Sequence, residues 1–194
     1  MNSRLLASII SFIFHPMLIS LAAFLLLIYS SNPIPENANS ILAICFVFSN
    51  LIPIATVLIL KKTGIISDLD ASQKEQRIFP LMLGILYSGL GFLALTLFHA
   101  DALVKGLMFC YMTNTIITII ITSYWKISIH TMGIGGPIAA LWIAGFKFPI
   151  IGLIILLSVS YARVILKAHS INQVVAGSIA GLILTYVQLH LFFI

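Results

Sequence analysis

Charged residues are scarce in this chain: Asp, Glu, Lys and Arg make up 8% of its 194 residues, about a third of the share usual in soluble domains. A water-soluble fold is therefore excluded. Cysteine is also scarce, and because Cys45 and Cys110 both fall within apolar stretches, neither a zinc cluster nor a secretory disulfide framework is supported. The longest polar stretch, residues 61–80, is too short to fold alone. We therefore expect one integral membrane domain over residues 1–194.

Apolar residues dominate the remainder, with 61% of the chain hydrophobic and a mean hydropathy of +1.16. One membrane crossing takes about 20 apolar residues. Because runs such as 18–28 do not alternate in polarity, each apolar stretch is predicted to be helical. The prediction is an all-α, polytopic membrane bundle of six to seven transmembrane helices. The apolar stretches are residues 5–29, 40–60, 80–98, 103–124, 130–146, 148–166 and 170–192.

Three polar connections are expected on one face of the membrane, because two crossings separate each from the next. These are residues 61–79, 125–130 and 163–170, and they hold nearly all the titratable side chains outside the spans. The net charge of +5 arises from basic residues between apolar spans, which favours lipid headgroups or phosphates as partners and not nucleic acid. The sequence therefore predicts that the three connections form one polar site at the bilayer.

Two histidines in these connections, His130 and His169, are accompanied by several cations. Phosphoryl transfer needs positive groups on the phosphate oxygens, and one histidine can attack phosphorus while another protonates the leaving oxygen. Carboxylate pairs for glycoside chemistry and a Ser-His-Asp arrangement are not evident. The pattern favours phosphate ester chemistry.

The most specific motif begins at Arg163, which is followed after five residues by His169 and after three more by Gln173, with Val174 and Gly177 beyond. It resembles the third signature of the type 2 phosphatidic acid phosphatase superfamily, S-R-x5-H-x3-D followed by V-x-x-G, with glutamine in place of the aspartate. Residues 128–131 (Ser-Ile-His-Thr) and 74–80 (Lys-Glu-Gln-Arg-Ile-Phe-Pro) resemble its second and first signatures.

The resemblance implies roles for the matching residues. His169 would attack phosphorus and become a phosphohistidine, and His130 would act as the general acid toward the leaving oxygen. The residues implied to hold phosphate oxygens are Lys74, Arg77, Arg163 and Ser128. Lys126 is a further candidate phosphate ligand, or else an ordinary positive-inside residue. The scheme requires no metal and no cofactor, because the cations neutralise the charge that a metal ion neutralises elsewhere.

Gln173 has two competing interpretations. Its carbonyl oxygen can accept a proton donor from His169 and so select the imidazole tautomer. Alternatively, Ser170 and Gln173 form a capping box, S-x-x-Q, that serves the start of a helix.

Other polar residues are interpreted as structural. Asp68 and Asp70 are predicted to belong to a solvated turn and not to a magnesium site. His15, Asn114 and Gln188 are expected to form interhelical hydrogen bonds. The small-residue spacing of Gly177 and Gly181 predicts that two helices approach closely there.

The predicted function is a metal-independent lipid phosphatase that hydrolyses a phosphomonoester or diphosphate of a membrane lipid. The alternatives are a lipid phosphotransferase and a non-catalytic lipid-binding or transport protein on the same scaffold; oligomeric state stays open. We expect the chain in the inner membrane of a bacterium. Basic-residue counts favour a cytoplasmic site, whereas the resemblance implies that bacterial members often act at the outer leaflet.

Overall fold

A computed structural model describes residues 2–71 and 73–194, and within them the chain is entirely helical, without strands. Five helical segments are long and apolar enough to cross a membrane, two of them each built from more than one helix, Ser3–Tyr29 and Ala38–Lys62. The elements are α1 Ser3–Ile13, α2 Pro16–Tyr29, α3 Ala38–Phe46, the π-turn Val47–Leu51, α4 Ile52–Lys62, α5 Lys74–Leu97, α6 Ala102–Tyr124, α7 Ile129–Ile143, α8 Pro149–Ile165 and α9 Ile171–Phe192. The prediction of an all-α membrane protein is therefore confirmed at this level.

The first apolar stretch, predicted as one span over 5–29, is two helices. Pro16 has no backbone N–H and disfavours helical geometry in the residue before it. His15 accordingly has extended backbone angles, φ −62° and ψ 137°. The break turns His15 from a mid-span residue into the N-cap of α2.

Two other boundaries differ from the hydropathy prediction. α5 starts at Lys74, six residues before the predicted span, because its first turns are polar and hydropathy detects only the apolar part. α7 ends at Ile143, before the predicted position 146, and Gly145 follows with φ +97°. Glycine adopts this left-handed geometry without steric cost, and the helix stops there.

α7 and α9 pack with their backbones close together. A Cβ added to Gly177 would lie 2.5 Å from the carbonyl oxygen of Ser128, and one added to Gly181 would overlap the backbone at Met132. The predicted close approach at this glycine pair is confirmed. The contact joins the N-terminal part of α7 to the first half of α9.

A polar cluster connects α6 to α9, and we call it the α6–α9 amide cluster: Thr113, Asn114, Thr185 and Gln188. Asn114 Nδ2 donates to Thr185 Oγ1 at 2.9 Å, and Gln188 Nε2 donates to Asn114 Oδ1 at 2.9 Å. Thr113 Oγ1 donates to Gln188 Oε1. The predicted interhelical hydrogen bonds of Asn114 and Gln188 are therefore confirmed.

Candidate functional site

The three polar connections meet at one end of the bundle, as predicted. Arg77 Nη1 donates to the Ile127 carbonyl at 3.3 Å, which ties the first connection to the second. Lys126 Nζ donates to the Ala168 carbonyl at 3.0 Å, which ties the second to the third. An ion pair of 2.7 Å between Arg163 Nη2 and Asp70 Oδ2 ties the third to the first.

A cavity of about 280 Å³ lies beneath this junction. Its polar wall, which we call the histidine cluster, consists of His15, Asp70, Arg77, His130 and His169. The rest of the wall is mostly apolar and includes residues of α2, the π-turn, α4, α5 and α6. Lining positions on α5 run from Arg77 to Ser88, about 16 Å along the helix at 1.5 Å per residue. One elongated chamber thus combines a polar end with an apolar wall.

His169 is buried in the connection between α8 and α9. Its Nδ1 lies 3.2 Å from Gln173 Oε1, and the same oxygen accepts the Ser170 backbone N–H at 3.0 Å. Both interpretations of Gln173 therefore hold together, since one carbonyl oxygen has two lone pairs. Because the Ser170 N–H requires an acceptor, it orients the amide with its oxygen toward the imidazole. His169 then carries its proton on Nδ1, which leaves a lone pair on Nε2.

The electrostatic surroundings keep the His169 imidazole neutral. Burial lowers the pKa of His169 to about 4, and the positive charges of Arg77, Lys126 and Arg163 act in the same direction. The hydrogen bond to Gln173 opposes the shift but does not cancel it. At neutral pH the free Nε2 is an available nucleophile.

His130 lies in the first turn of α7, where it is buried and its ring meets the ring of His15 edge-on. The two ring centroids are 5.0 Å apart and the planes are inclined at 82°. Ser128 is the N-cap of α7, and its Oγ accepts the backbone N–H of Thr131 at 3.4 Å. The backbone N–H of Ser128 donates to the backbone carbonyl of Gln173 at 3.2 Å. Ser128 thereby positions His130, and its side chain is not part of the cavity wall.

The predicted phosphate ligands occupy different places. Arg77 lines the cavity, held by a hydrogen bond of 2.8 Å from its Nε to the Ala71 carbonyl. Lys74 and Lys126 are outside the cavity wall, and Lys74 Nζ donates to the Ser123 carbonyl at 3.1 Å. Arg163 is buried behind the wall, where Nη1 donates to Ser11 Oγ at 3.1 Å and Nη2 pairs with Asp70.

Asp70 lies in a turn with its side chain 37% exposed, which confirms the predicted solvated turn, and its carboxylate also pairs with Arg163. Burial opposes its ionisation, but the charge of Arg163 and the hydrogen bond from it hold the pKa of Asp70 below its usual range. The carboxylate therefore stays ionised and forms the ion pair with the guanidinium of Arg163. Within residues 2–71 and 73–194, no group of three or more His, Cys, Asp or Glu side chains is arranged to hold a metal ion.

Neither a family model nor a curated protein nor a solved structure matches this chain. The chemistry of the site is therefore derived from its geometry. The histidine cluster offers a neutral imidazole with a free nitrogen, a second histidine on the same cavity and a buried guanidinium. These groups suit a reaction in which a nucleophile attacks an anionic group such as a phosphate ester and an alkoxide leaves.

Sequence reasoning missed His15 as a site residue, because it predicted an interhelical hydrogen bond for this side chain, whereas Nδ1 of His15 accepts the N–H of Met17 at the start of its own helix. The His-Pro pair inside an apolar stretch was the available signal, because proline breaks a helix and favours an extended backbone at the residue before it, which is then free to cap the next helix. Asp70 carried no local signal for its pairing with Arg163, which lies 93 positions away in sequence.

Proposed function

We propose that this protein is a membrane lipid phosphatase that uses His169 as its nucleophile. The observation that carries the proposal is that His169, His130 and Arg77 line one cavity, with Nε2 of His169 left free by the contact of Nδ1 with Gln173. These are three groups that a phosphohistidine mechanism requires: a nucleophile, a general acid and a cation for phosphate oxygens.

The proposed reaction has two steps. In the first, Nε2 of His169 forms a bond to phosphorus, the bond from phosphorus to the lipid oxygen breaks, and His130, which takes up a proton when the anionic phosphate binds beside it, gives that proton to the leaving oxygen. In the second, His130 accepts a proton from a water molecule, the water oxygen attacks phosphorus, and the phosphohistidine bond breaks to release inorganic phosphate. Arg77 stabilises charge on the phosphate oxygens in both steps.

The apolar wall supports a lipid as the substrate. A water-soluble phosphate ester has nothing to place along α5, whereas an acyl or prenyl chain gains by burial there. Phosphatidic acid, phosphatidylglycerol phosphate, a prenyl diphosphate and a phosphorylated sphingoid base share the same phosphate chemistry. We propose a lipid phosphomonoester or diphosphate as the substrate class.

A second candidate function, non-catalytic binding of a lipid phosphate, is favoured by two features. Arg163 is already paired with Asp70, and Gln173 is a neutral partner that stabilises a developing imidazolium less than an aspartate does. Binding without turnover would leave both contacts unchanged.

The deciding experiment measures phosphate release by the detergent-solubilised full chain from the four lipid phosphates named above, with EDTA present. We expect turnover of at least one lipid, insensitive to EDTA and inhibited by vanadate. Saturable binding without release would establish the second candidate. Release that appears only with added magnesium would contradict a metal-independent reaction and direct attention to Asp68 and Asp70.

We further propose seven crossings, with the histidine cluster and the N-terminus on the cytoplasmic side and the C-terminus outside. The basic residues on the side of the cluster are Arg4, Lys61, Lys62, Lys74, Arg77, Lys126, Arg163 and Lys167, against Lys105 and Lys147 on the other side. This asymmetry follows the positive-inside rule. Fusion of a topology reporter to the C-terminus should give a signal only outside the cytoplasm; a cytoplasmic signal would reverse the assignment or the number of crossings.

A further inference from the structure

We propose that His15 is a third histidine of the site and that its Nε2–H donates a hydrogen bond to a non-bridging phosphate oxygen of the substrate. This inference rests on the proposed function and adds a specific phosphate-binding residue to it. His15 lines the same cavity as His130, His169 and Arg77. It reaches the cavity from the break between α1 and α2, a part of the chain without any signature motif.

The hydrogen bonds of α2 determine which nitrogen of His15 carries the proton. Nδ1 accepts the backbone N–H of Met17 at 3.3 Å, so this nitrogen supplies a lone pair. In a neutral imidazole the proton then resides on Nε2, which is a donor. Within residues 2–71 and 73–194 no hydrogen bond uses Nε2. The start of α2 therefore uses the acceptor nitrogen Nδ1 of His15, and the donor Nε2–H is left for a ligand in the cavity.

Capping alone does not account for a histidine at this position. Asn, Asp, Ser and Thr are the preferred N-caps and satisfy the same backbone N–H with a smaller side chain. A buried polar nitrogen costs free energy unless it has a hydrogen-bond partner, and polar groups at membrane depth often mark functional sites. Here the ring also packs against His130, with centroids 5.0 Å apart, which places it beside the proposed general acid.

A phosphate bound in the cavity would be stabilised further by a hydrogen-bond donor in addition to Arg77. Two of the donors of Arg77 are taken by backbone carbonyls, Nε by Ala71 and Nη1 by Ile127. Arg163 is paired with Asp70 and is not part of the cavity wall. A phosphate monoester presents three non-bridging oxygens, so a neutral donor on the same cavity as Arg77 adds binding without adding a buried charge.

The test compares His15→Asn with His15→Ala in the full-length protein. Asparagine retains an oxygen that can cap Met17 but is too short to replace the imidazole in the cavity, whereas alanine removes both functions. We expect His15→Asn to keep its Tm within a few degrees of the wild type, while KM for the lipid phosphate and the inhibition constant for vanadate each rise about tenfold or more. His15→Ala should show the same loss together with a lower Tm.

Outcomes separate this inference from the proposed function. If the wild type binds and hydrolyses lipid phosphates but His15→Asn has unchanged KM and vanadate inhibition, the phosphate-binding role of His15 is wrong. A fall in kcat with unchanged KM and vanadate inhibition would also overturn it, because it would mean that His15 only positions His130. If the wild type does not release phosphate, vanadate binding measured directly still tests His15: equal affinities of the wild type and His15→Asn would refute its role.

Discussion

Two groups of polar side chains lie inside this apolar bundle, and they differ in how the fold uses them. In the α6–α9 amide cluster, amides and hydroxyls bind one another across two helices. In the histidine cluster, Nε2 of His15 and of His169 has no hydrogen bond within residues 2–71 and 73–194, and both rings border a cavity. The first cluster is complete without a ligand, whereas the second leaves polar groups that a ligand can satisfy.

The difference separates stability from function within one membrane protein. Polar groups in an apolar medium cost free energy unless they are paired. A hydrogen bond within the fold offsets that cost and stabilises the protein. A polar group left without a partner destabilises the fold but can form a hydrogen bond with a ligand. Substitutions in the two clusters should therefore change different measurements.

The largest expected effect is that of His169→Asn on turnover. Asparagine provides no nucleophile at this position, so phosphate release should fall by at least about a thousandfold, with little change in Tm. His99→Asn is a matched control, because His99 lies in the turn between α5 and α6 with φ +53°, a conformation that asparagine tolerates. Full activity of His169→Asn would contradict the catalytic assignment.

The next effect concerns the pH dependence of the histidine cluster. Because burial and nearby cations lower the pKa of His169 to about 4, the nucleophile stays neutral above that pH. The acid limb of kcat/KM should therefore lie near pH 4, and not near the usual histidine value of about 6.5.

Lys126→Gln sharpens this test, because it removes one of the charges that lower the pKa of His169. The acid limb should move to higher pH, whereas in Lys62→Gln, at the exposed end of α4, it should stay. An acid limb near pH 6.5 that does not follow the pKa of the substrate phosphate, and that does not move in Lys126→Gln, would show that His169 is not the titrating nucleophile.

Gln173 should have a smaller effect on rate. Gln173→Ala removes the acceptor that selects the tautomer of His169, and turnover should fall roughly tenfold or more. Gln173→Asp should retain or raise turnover, since its charge stabilises an imidazolium and suits a helix N-terminus. Unchanged turnover with a lower Tm in Gln173→Ala would assign the residue to the helix cap alone.

The smallest expected effect belongs to the α6–α9 amide cluster. Asn114→Ala leaves donors and acceptors of Gln188 and Thr185 unpaired, and the free energy of unfolding should fall by about 1–2 kcal/mol. Turnover below the Tm should equal that of the wild type. Exposed Asn172 provides the control Asn172→Ala, which should leave both quantities unchanged. Loss of turnover in folded Asn114→Ala would show that the α6–α9 amide cluster also contributes to activity, and the distinction between the two clusters would then be wrong.

The sequence was informative where local pattern determines structure. Hydropathy located the apolar helices, and the spacing of Arg163, His169 and Gln173 indicated a histidine held from the next helical turn. Side-chain direction was not accessible in this way: Lys126 is in the expected connection but donates to a backbone carbonyl. The ion pair between Arg163 and Asp70 depends on a tertiary approach that no local pattern encodes.

The tight contact between α7 and α9 has a consequence for motion. His130 lies in the first turn of α7 and His169 lies two residues before α9, so the close packing of the two helices at Gly177 and Gly181 holds the two histidines near each other. On the proposed function, a lipid would enter by displacing lining elements other than α7 and α9, such as the π-turn at 47–51. Under that proposal, His130 and His169 would keep their relative positions while the lipid enters.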